Sequence, residues 1–350
     1  MTFEIASSTD ELGNVEVKRA ATPKLSIAIP AFNRATKLQE CLESILSEIE
    51  MCDTDEVEVW VTDDASTDVK AAQTARGFAK SHPMFLFRQN PKNLGLDANL
   101  LEACRPCTGD FVLLMGNDDL LRPGALDHLL TDIDSGSADV FAYGKERIDS
   151  AGAPIELGSG AIPAGAVAGE KRRYRGILGF AKETGVLSGY GFISTVLFKR
   201  QPFVEVDSER YAGLTMYPQV ACLFEAFANA SVVFRNVSVV KHRTATRAEK
   251  LAEALGRPEE SFMAGGDQRD AKWFGPSLAA SLMRVCDRCS LRPADFIPIP
   301  ERLFRQPDLI AWISHNVWLA EQSGVHFPAE VNLDATRFFT ELGIKPVASG

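Results

Sequence analysis

Asp110 to Leu121 reads Asp-Phe-Val-Leu-Leu-Met-Gly-Asn-Asp-Asp-Leu-Leu, an apolar run that ends in Asn117, Asp118 and Asp119. Apolar runs of this length, bounded by turn residues, form buried strands. Two adjacent carboxylates at the end of such a strand are costly, because they repel each other and lose water when the site closes. A divalent cation with a phosphate-bearing substrate would remove both costs, and hard oxygen ligands suit Mg²⁺ or Mn²⁺. A second reading of the same residues is a polar turn, with Asp118 or Asp119 capping a helix that starts near Pro123.

The surrounding pattern supplies the elements that would hold these residues. Strands are expected at Leu25–Ile29, Val57–Thr62, Met84–Arg88, Phe111–Met115 and Val140–Tyr143. Helices are expected between them, at Ala35–Ile49, Asp68–Ser81, Leu96–Cys104 and Pro123–Ile133. In the first helix, Leu38, Leu42, Ile45, Leu46 and Ile49 share a face. Ser66, Thr67 and Asp68 are good caps for the second. Strand and helix alternating at this spacing imply right-handed crossovers and a largely parallel sheet. Ligands of such sheets sit beyond the carboxyl ends of the strands. Pro30–Arg34, Asp63–Ser66, Asn90–Gly95 and Asn117–Asp119 all fall there.

Beyond Ser150 the composition changes. Ala151 to Gly169 is rich in Gly, Ala and Pro and reads as a loop or lid. Further strands are expected at Tyr190–Lys199 and Ser231–Val240, and a helix at Val220–Ala230. The chain is helical in pattern from Ala248, including Pro276–Cys289 and Asp308–Glu321. The division expected is a tail over 1–21, an α/β domain over 22–245 and a helical region over 246–350. The domain splits into two halves, 22–135 and 136–245.

The 350 residues carry a net charge of −10, which argues against a general nucleic-acid binder. No apolar run approaches the roughly 18 residues of a membrane span, and the first twenty residues lack a signal core. A cytoplasmic protein is expected, with at most peripheral contact at the inner face of a membrane. Seven cysteines, an odd number, argue against a full disulfide framework. The pairs Cys104/Cys107 and Cys286/Cys289 have zinc-ligand spacing, but they lie far apart within helical patterns, where buried cysteines are ordinary.

The ordered set of rim segments resembles family 2 nucleotide-sugar glycosyltransferases of the GT-A fold, the bacterial surface-polysaccharide type. Ile29-Pro30-Ala31-Phe32-Asn33-Arg34 matches the family's opening motif, and Val61 to Asp68 its second. Asn93-Leu94-Gly95-Leu96-Asp97-Ala98-Asn99 matches the third, and Gly116-Asn117-Asp118-Asp119 stands at the Asp-x-Asp metal motif. The resemblance covers about residues 25 to 135. It implies a mixed, mostly parallel α/β sheet flanked by helices, with a helical C-terminal extension. It implies transfer of a sugar from a nucleoside diphosphate sugar to a saccharide or lipid-linked hydroxyl acceptor, with inversion. Pro30, Ala31 and Asn33 would line the nucleotide pocket, with Arg34 close by. Asp63 and Asp64 would contact the nucleoside, and Asn93 and Gly95 would lie near base or ribose. Asp119 would hold Mg²⁺ or Mn²⁺, helped by Asp118 or Asn117.

Each segment also has a plainer reading. Asp63, Asp64 and Asp68 could cap the second helix, Asn93 and Gly95 could form a turn, and Arg34 could be a solvated loop cation. Lys241, His242, Arg243 and Arg247 could hold a phosphate or form a surface turn. Trp273, in a Gly- and aromatic-rich patch with Gly265 and Gly266, could stack on a sugar or pack in the core.

An inverting transfer needs a base for the acceptor hydroxyl. The family's Glu-Asp pair is missing here, and Tyr217-Pro218-Gln219 stands near its place. Glu209 and then Asp207 are the carboxylates expected to serve, with Glu225 set inside an apolar helical pattern. Two other functions fit the same fold. One is a non-catalytic sugar-nucleotide or polysaccharide-binding protein. The other is a sugar-phosphate nucleotidyltransferase, disfavoured because no Gly-rich loop follows the first strand.

Overall fold

The computed structural model describes residues 7–9, 15–17, 23–155, 162–214, 217–244, 274–297, 299 and 308–344. The expected patch from Gly265 to Trp273, and Arg247, lie outside them.

The sheet is built around Leu25–Ala31 (β3), a strand buried along its whole length. It pairs in parallel with Val57–Asp63 (β4) on one side and Phe111–Leu114 (β6) on the other. Phe85–Gln89 (β5) extends the parallel block beyond β4. Side chains alternate across the sheet. Leu25, Ile27 and Ile29 enter one core while Ala28 enters the other. Pro30 is tolerated in this central strand because β6 pairs only as far as Ala28, so its missing N–H breaks no ladder bond.

Ala35–Cys52 (α1) and Val69–Ser81 (α2) cover the face that takes Leu25 and Ile27. α1 buries Leu38, Leu42, Ile45 and Ile49 there, each contributing about 1.5–3 kcal/mol of transfer free energy. Leu96–Glu102 (α3) starts after Gly95, whose φ of 88° suits glycine.

The second half is mixed. Val140–Ile148 (β8) runs parallel to Ser231–Arg243 (β11). Val196–Lys199 (β10) lies antiparallel between β6 and β8. Leu120–Leu121 (β7) pairs with the end of β11, and Lys171–Arg175 (β9) with its start. The expected strand from Tyr190 therefore begins only at Val196. The preceding residues form the helix Val186–Tyr190 (α6) and a 3₁₀ turn, Ile193–Thr195. Gly176–Thr184 (α5) precedes α6.

The expected tail contributes two short antiparallel strands, Ser7–Thr9 (β1) and Val15–Val17 (β2), and β2 joins β5 at the sheet edge. Beyond Arg200–Val204 (α7) and Pro218–Phe227 (α8) come Pro276–Cys289 (α9), Leu309–Gln322 (α10) and Ala329–Glu341 (α11). Phe274, Leu278, Leu282 and Phe338 share one core with Phe180, Tyr190 and Phe224. The C-terminal helices thus complete the second half rather than form a core of their own. Cys104, Cys107, Cys222 and Cys286 are buried apolar side chains.

Candidate active site

The rim residues meet through a continuous chain of contacts. Asn33 and Arg34, just past β3, both take left-handed backbone conformations, with φ of 54° and 58°. Such a turn costs roughly 1–2 kcal/mol for a residue like Arg34 and persists only when neighbours hold it. They do. The Asn33 amide donates to Ser66 Oγ, and Asn33 Oδ1 accepts from Asp68 N (2.8 Å) and Thr67 Oγ1 (3.2 Å). Arg34 Nη1 reaches across to Asp118 Oδ2 at 2.7 Å. The loops after β3, β4 and β6 are therefore one surface, not three.

Asp63 and Asp64 are both buried. Asp63 accepts from Ser66 N, Ser66 Oγ and Gln89 Nε2, which leaves about one of its four acceptor positions open. Asp64 accepts from Asn90 Nδ2, Leu94 N and Gly95 N, tying the third rim loop to the second. Burial pushes its carboxyl up, against those three donors. Asn93 Oδ1 accepts from Gly95 N, closing the turn that enters α3. The capping reading holds for Asp68, which accepts from Lys70 N at the start of α2.

Asp119 is buried and does not cap the next helix. That helix, Ala125–Asp134 (α4), starts two residues later than expected. Its first amides donate instead to Glu48 of α1, Gly124 N at 3.0 Å and Leu126 N at 3.1 Å. Asp119 Oδ2 accepts from Ser194 Oγ at 2.6 Å. Its Oδ1 accepts from Arg243 N and lies 3.1 Å from His242 Nδ1. Ser194 also accepts from Gly116 N, so one hydroxyl fixes both ends of the acidic loop. The Arg243 side chain donates to Asp118 O, Ser150 O and Glu40, strapping that loop to α1. Burial and the neighbouring Asp119 charge push the Asp118 carboxyl up, against Arg34 and His242. The Asn117 amide nitrogen is buried and has no hydrogen-bond partner among the described residues.

These groups suit a hard divalent cation. Mg²⁺ is commonly held by one or two carboxylates plus substrate phosphates rather than by a closed protein cage. Asp118 and Asp119 offer the carboxylates, and their mutual repulsion is what a cation would relieve. His242 stands at the same point. Among the described residues there is no preformed three-ligand cage.

Glu209 and Asp207 are the carboxylates expected to supply the base. Ser208–Arg210 folds as a 3₁₀ turn with Glu209 exposed. Both carboxylates line a hollow of about 190 Å³ with Leu101, Cys104 and Arg105, beside the C-terminal end of α3. Gly95 and the rim lie at the other end of that helix. The reason is local: Arg210 is held down by Glu225 and Asp207, drawing the turn toward α8. Glu225 is consumed by Arg210, Arg288 and Tyr211.

Acidic loops gathered at the carboxyl ends of the central strands stand where open α/β sheets bind their ligands. The comparison with known proteins narrows the class: the model of Glycosyl transferase family 2 matches residues 26–200, and the chain belongs to that family. It is 33% identical over 117 residues to the abequosyltransferase RfbV of Salmonella typhimurium, covering 33% of this chain and 34% of the relative. It is 32% identical over 120 residues to the GalNAc(5)-diNAcBac-PP-undecaprenol beta-1,3-glucosyltransferase of Campylobacter jejuni, covering 34% and 37%. The matched segment thus spans about a third of each relative's length. The crystal structure of S. aureus TarS 1-349 in complex with UDP aligns over 87% of this chain and 93% of that one, at 17% identity and a TM-score of 0.47. Among the described residues, no helix is long and apolar enough to cross a membrane.

Proposed function

We propose that the protein transfers a sugar from a nucleoside diphosphate sugar to a hydroxyl acceptor in the synthesis of a surface glycan. The observation that carries this is the Asn33–Arg34 turn. It bonds the Asp63 loop through Ser66 and the acidic loop through Asp118, so nucleoside-side and metal-side groups share one rim. Family membership and the sugar-transferring names of the relatives support the same reading.

In this reading Pro30, Ala31 and Asn33 border the nucleotide, and the open acceptor position of Asp63 takes a donor from the base. Asp64 keeps Asn93 and Gly95 in place around it. Asp119 and Asp118, with His242, would hold Mg²⁺ or Mn²⁺, which supplies charge neutralisation for the departing diphosphate. Ser194 and Arg243 orient Asp119. Inversion in a single displacement follows from the family resemblance. The acceptor is a saccharide or a lipid-linked saccharide, supported by the undecaprenol-linked name of one relative.

The test is a panel of UDP-, GDP-, CDP- and dTDP-sugars, assayed for hydrolysis and transfer with and without Mn²⁺. One donor should turn over, and EDTA should abolish it. Binding of a donor with no turnover across a broad acceptor set would instead make the protein a sugar-nucleotide receptor.

A further inference from the structure

Lys145 lies on β8, in register with Val240 of β11, two residues before His242. It is 7% exposed. Among the described residues it has no carboxylate or hydrogen-bond partner. Its ammonium nitrogen sits 3.4 Å from the centre of the Phe192 ring. The same ring meets the His242 imidazole edge-on at 4.3 Å between centres, and His242 touches Asp119. A line of contacts thus runs from Lys145 to the acidic loop through one aromatic ring.

We propose that Lys145 holds a phosphate group of the substrate beside the Asp118–Asp119 rim. The inference deepens the sugar-nucleotide reading and rests on it. Buried ammonium groups are ordinarily paired, because leaving water uncompensated is costly. The ring face offsets part of that cost. The charged groups that act on Lys145 are Arg147, which repels it, and Asp119, which attracts it. Asp119 is already engaged by Ser194, Arg243 and His242, so it does not serve as a dedicated counter-ion. Burial and Arg147 push the Lys145 amine down to about 7, the signature of a cation kept short of a partner. A phosphate oxygen would supply one, and phosphate is the charge that the proposed substrates bring. Its source is either the donor's diphosphate or the phosphate of a lipid-linked acceptor.

The experiment titrates wild type, Lys145→Met and Lys145→Arg by calorimetry at pH 6.5. The probes are inorganic pyrophosphate and UDP, GDP, CDP and dTDP with Mn²⁺, then geranyl phosphate in the presence of the preferred nucleotide. Thermal melting of each variant checks its fold. A charge-assisted hydrogen bond lost in binding weakens affinity about ten- to a hundredfold. Loss of that size in Lys145→Met toward pyrophosphate and nucleotide, largely restored in Lys145→Arg, supports the proposal with the donor as source. Unchanged nucleotide affinity with loss toward geranyl phosphate supports it with the acceptor as source. Lys145→Met binding every probe as wild type does overturns it and leaves the sugar-nucleotide reading intact. A wild-type protein that binds none of the probes overturns both. A merely structural lysine would lower the melting temperature of Lys145→Met without moving any affinity in the folded protein, which also overturns the proposal.

Discussion

Ser194 links the Gly116 amide to the Asp119 carboxylate with one hydroxyl, and no sequence motif marks it. It falls within an apolar stretch that reads as a strand, and only the antiparallel docking of β10 on β6 brings it to the acidic loop. Removing it leaves a buried carboxylate oxygen short of a donor, a loss of about 1–3 kcal/mol. Ser194→Ala should therefore lower stability by that amount in urea titration and weaken Mn²⁺-dependent nucleotide binding, without touching the nucleotide. Lys145 makes a prediction in the opposite direction. Its amine sits near 7 when folded, against 10.5 for a lysine in water. Between those values the unfolded chain binds a proton that the native protein does not, so its contribution to stability rises with pH and is lost as pH falls through about 7. In the absence of ligand, Lys145→Met should melt above wild type at pH 6.5, and the gap should close toward pH 10. A gap that stays constant with pH would remove Lys145 as its source.

At the scale of elements, most of the first half, residues 22–135, was legible in the sequence. The strands β3 to β6 and helices α1 to α3 fall within a few residues of expectation, because each repeats its apolar residues at the period of its own geometry. The rim loops follow, since the ends of parallel strands define them. What could not be read depended on contacts distant in sequence. The helix after Pro123 begins late because Gly124 turns left-handed and Glu48 of α1 receives its first amides. Asp119 therefore does not cap that helix and instead accepts from Ser194 and the Arg243 amide. β7, with two residues, and the basic edge strand β9 carry too little apolar pattern to announce themselves. Asp207 and Glu209 were named from proximity in sequence to the family's base position, which says nothing of where a 3₁₀ turn docks. Glu48→Ala should cost about 1–2 kcal/mol as a lost cap, visible as a lower urea midpoint with an unchanged slope.

For the whole molecule, the expected boundary near residue 245 is not a boundary of packing. α9 and α11 bring Leu278, Leu282 and Phe338 into the core that also holds Phe224 and Tyr190. Arg284 of α9 bonds both Asp334 of α11 and the carbonyl of Arg210. A protein ending at residue 245 should accordingly lose its cooperative melt and its near-ultraviolet circular dichroism. A truncated chain that melts cooperatively and binds nucleotide would show instead that the helices are an appendage.

The central proposal is that the acidic loops grip a cation and, through it, a pyrophosphate. Calorimetric titration of nucleoside diphosphates into wild type and Asp119→Asn, with Mn²⁺ and with EDTA, tests it most directly. One nucleotide should bind wild type with Mn²⁺, and EDTA or Asp119→Asn should weaken it by roughly tenfold or more, the scale of a lost charged contact. Equal affinity in all four conditions, or no nucleotide bound at all, would contradict it.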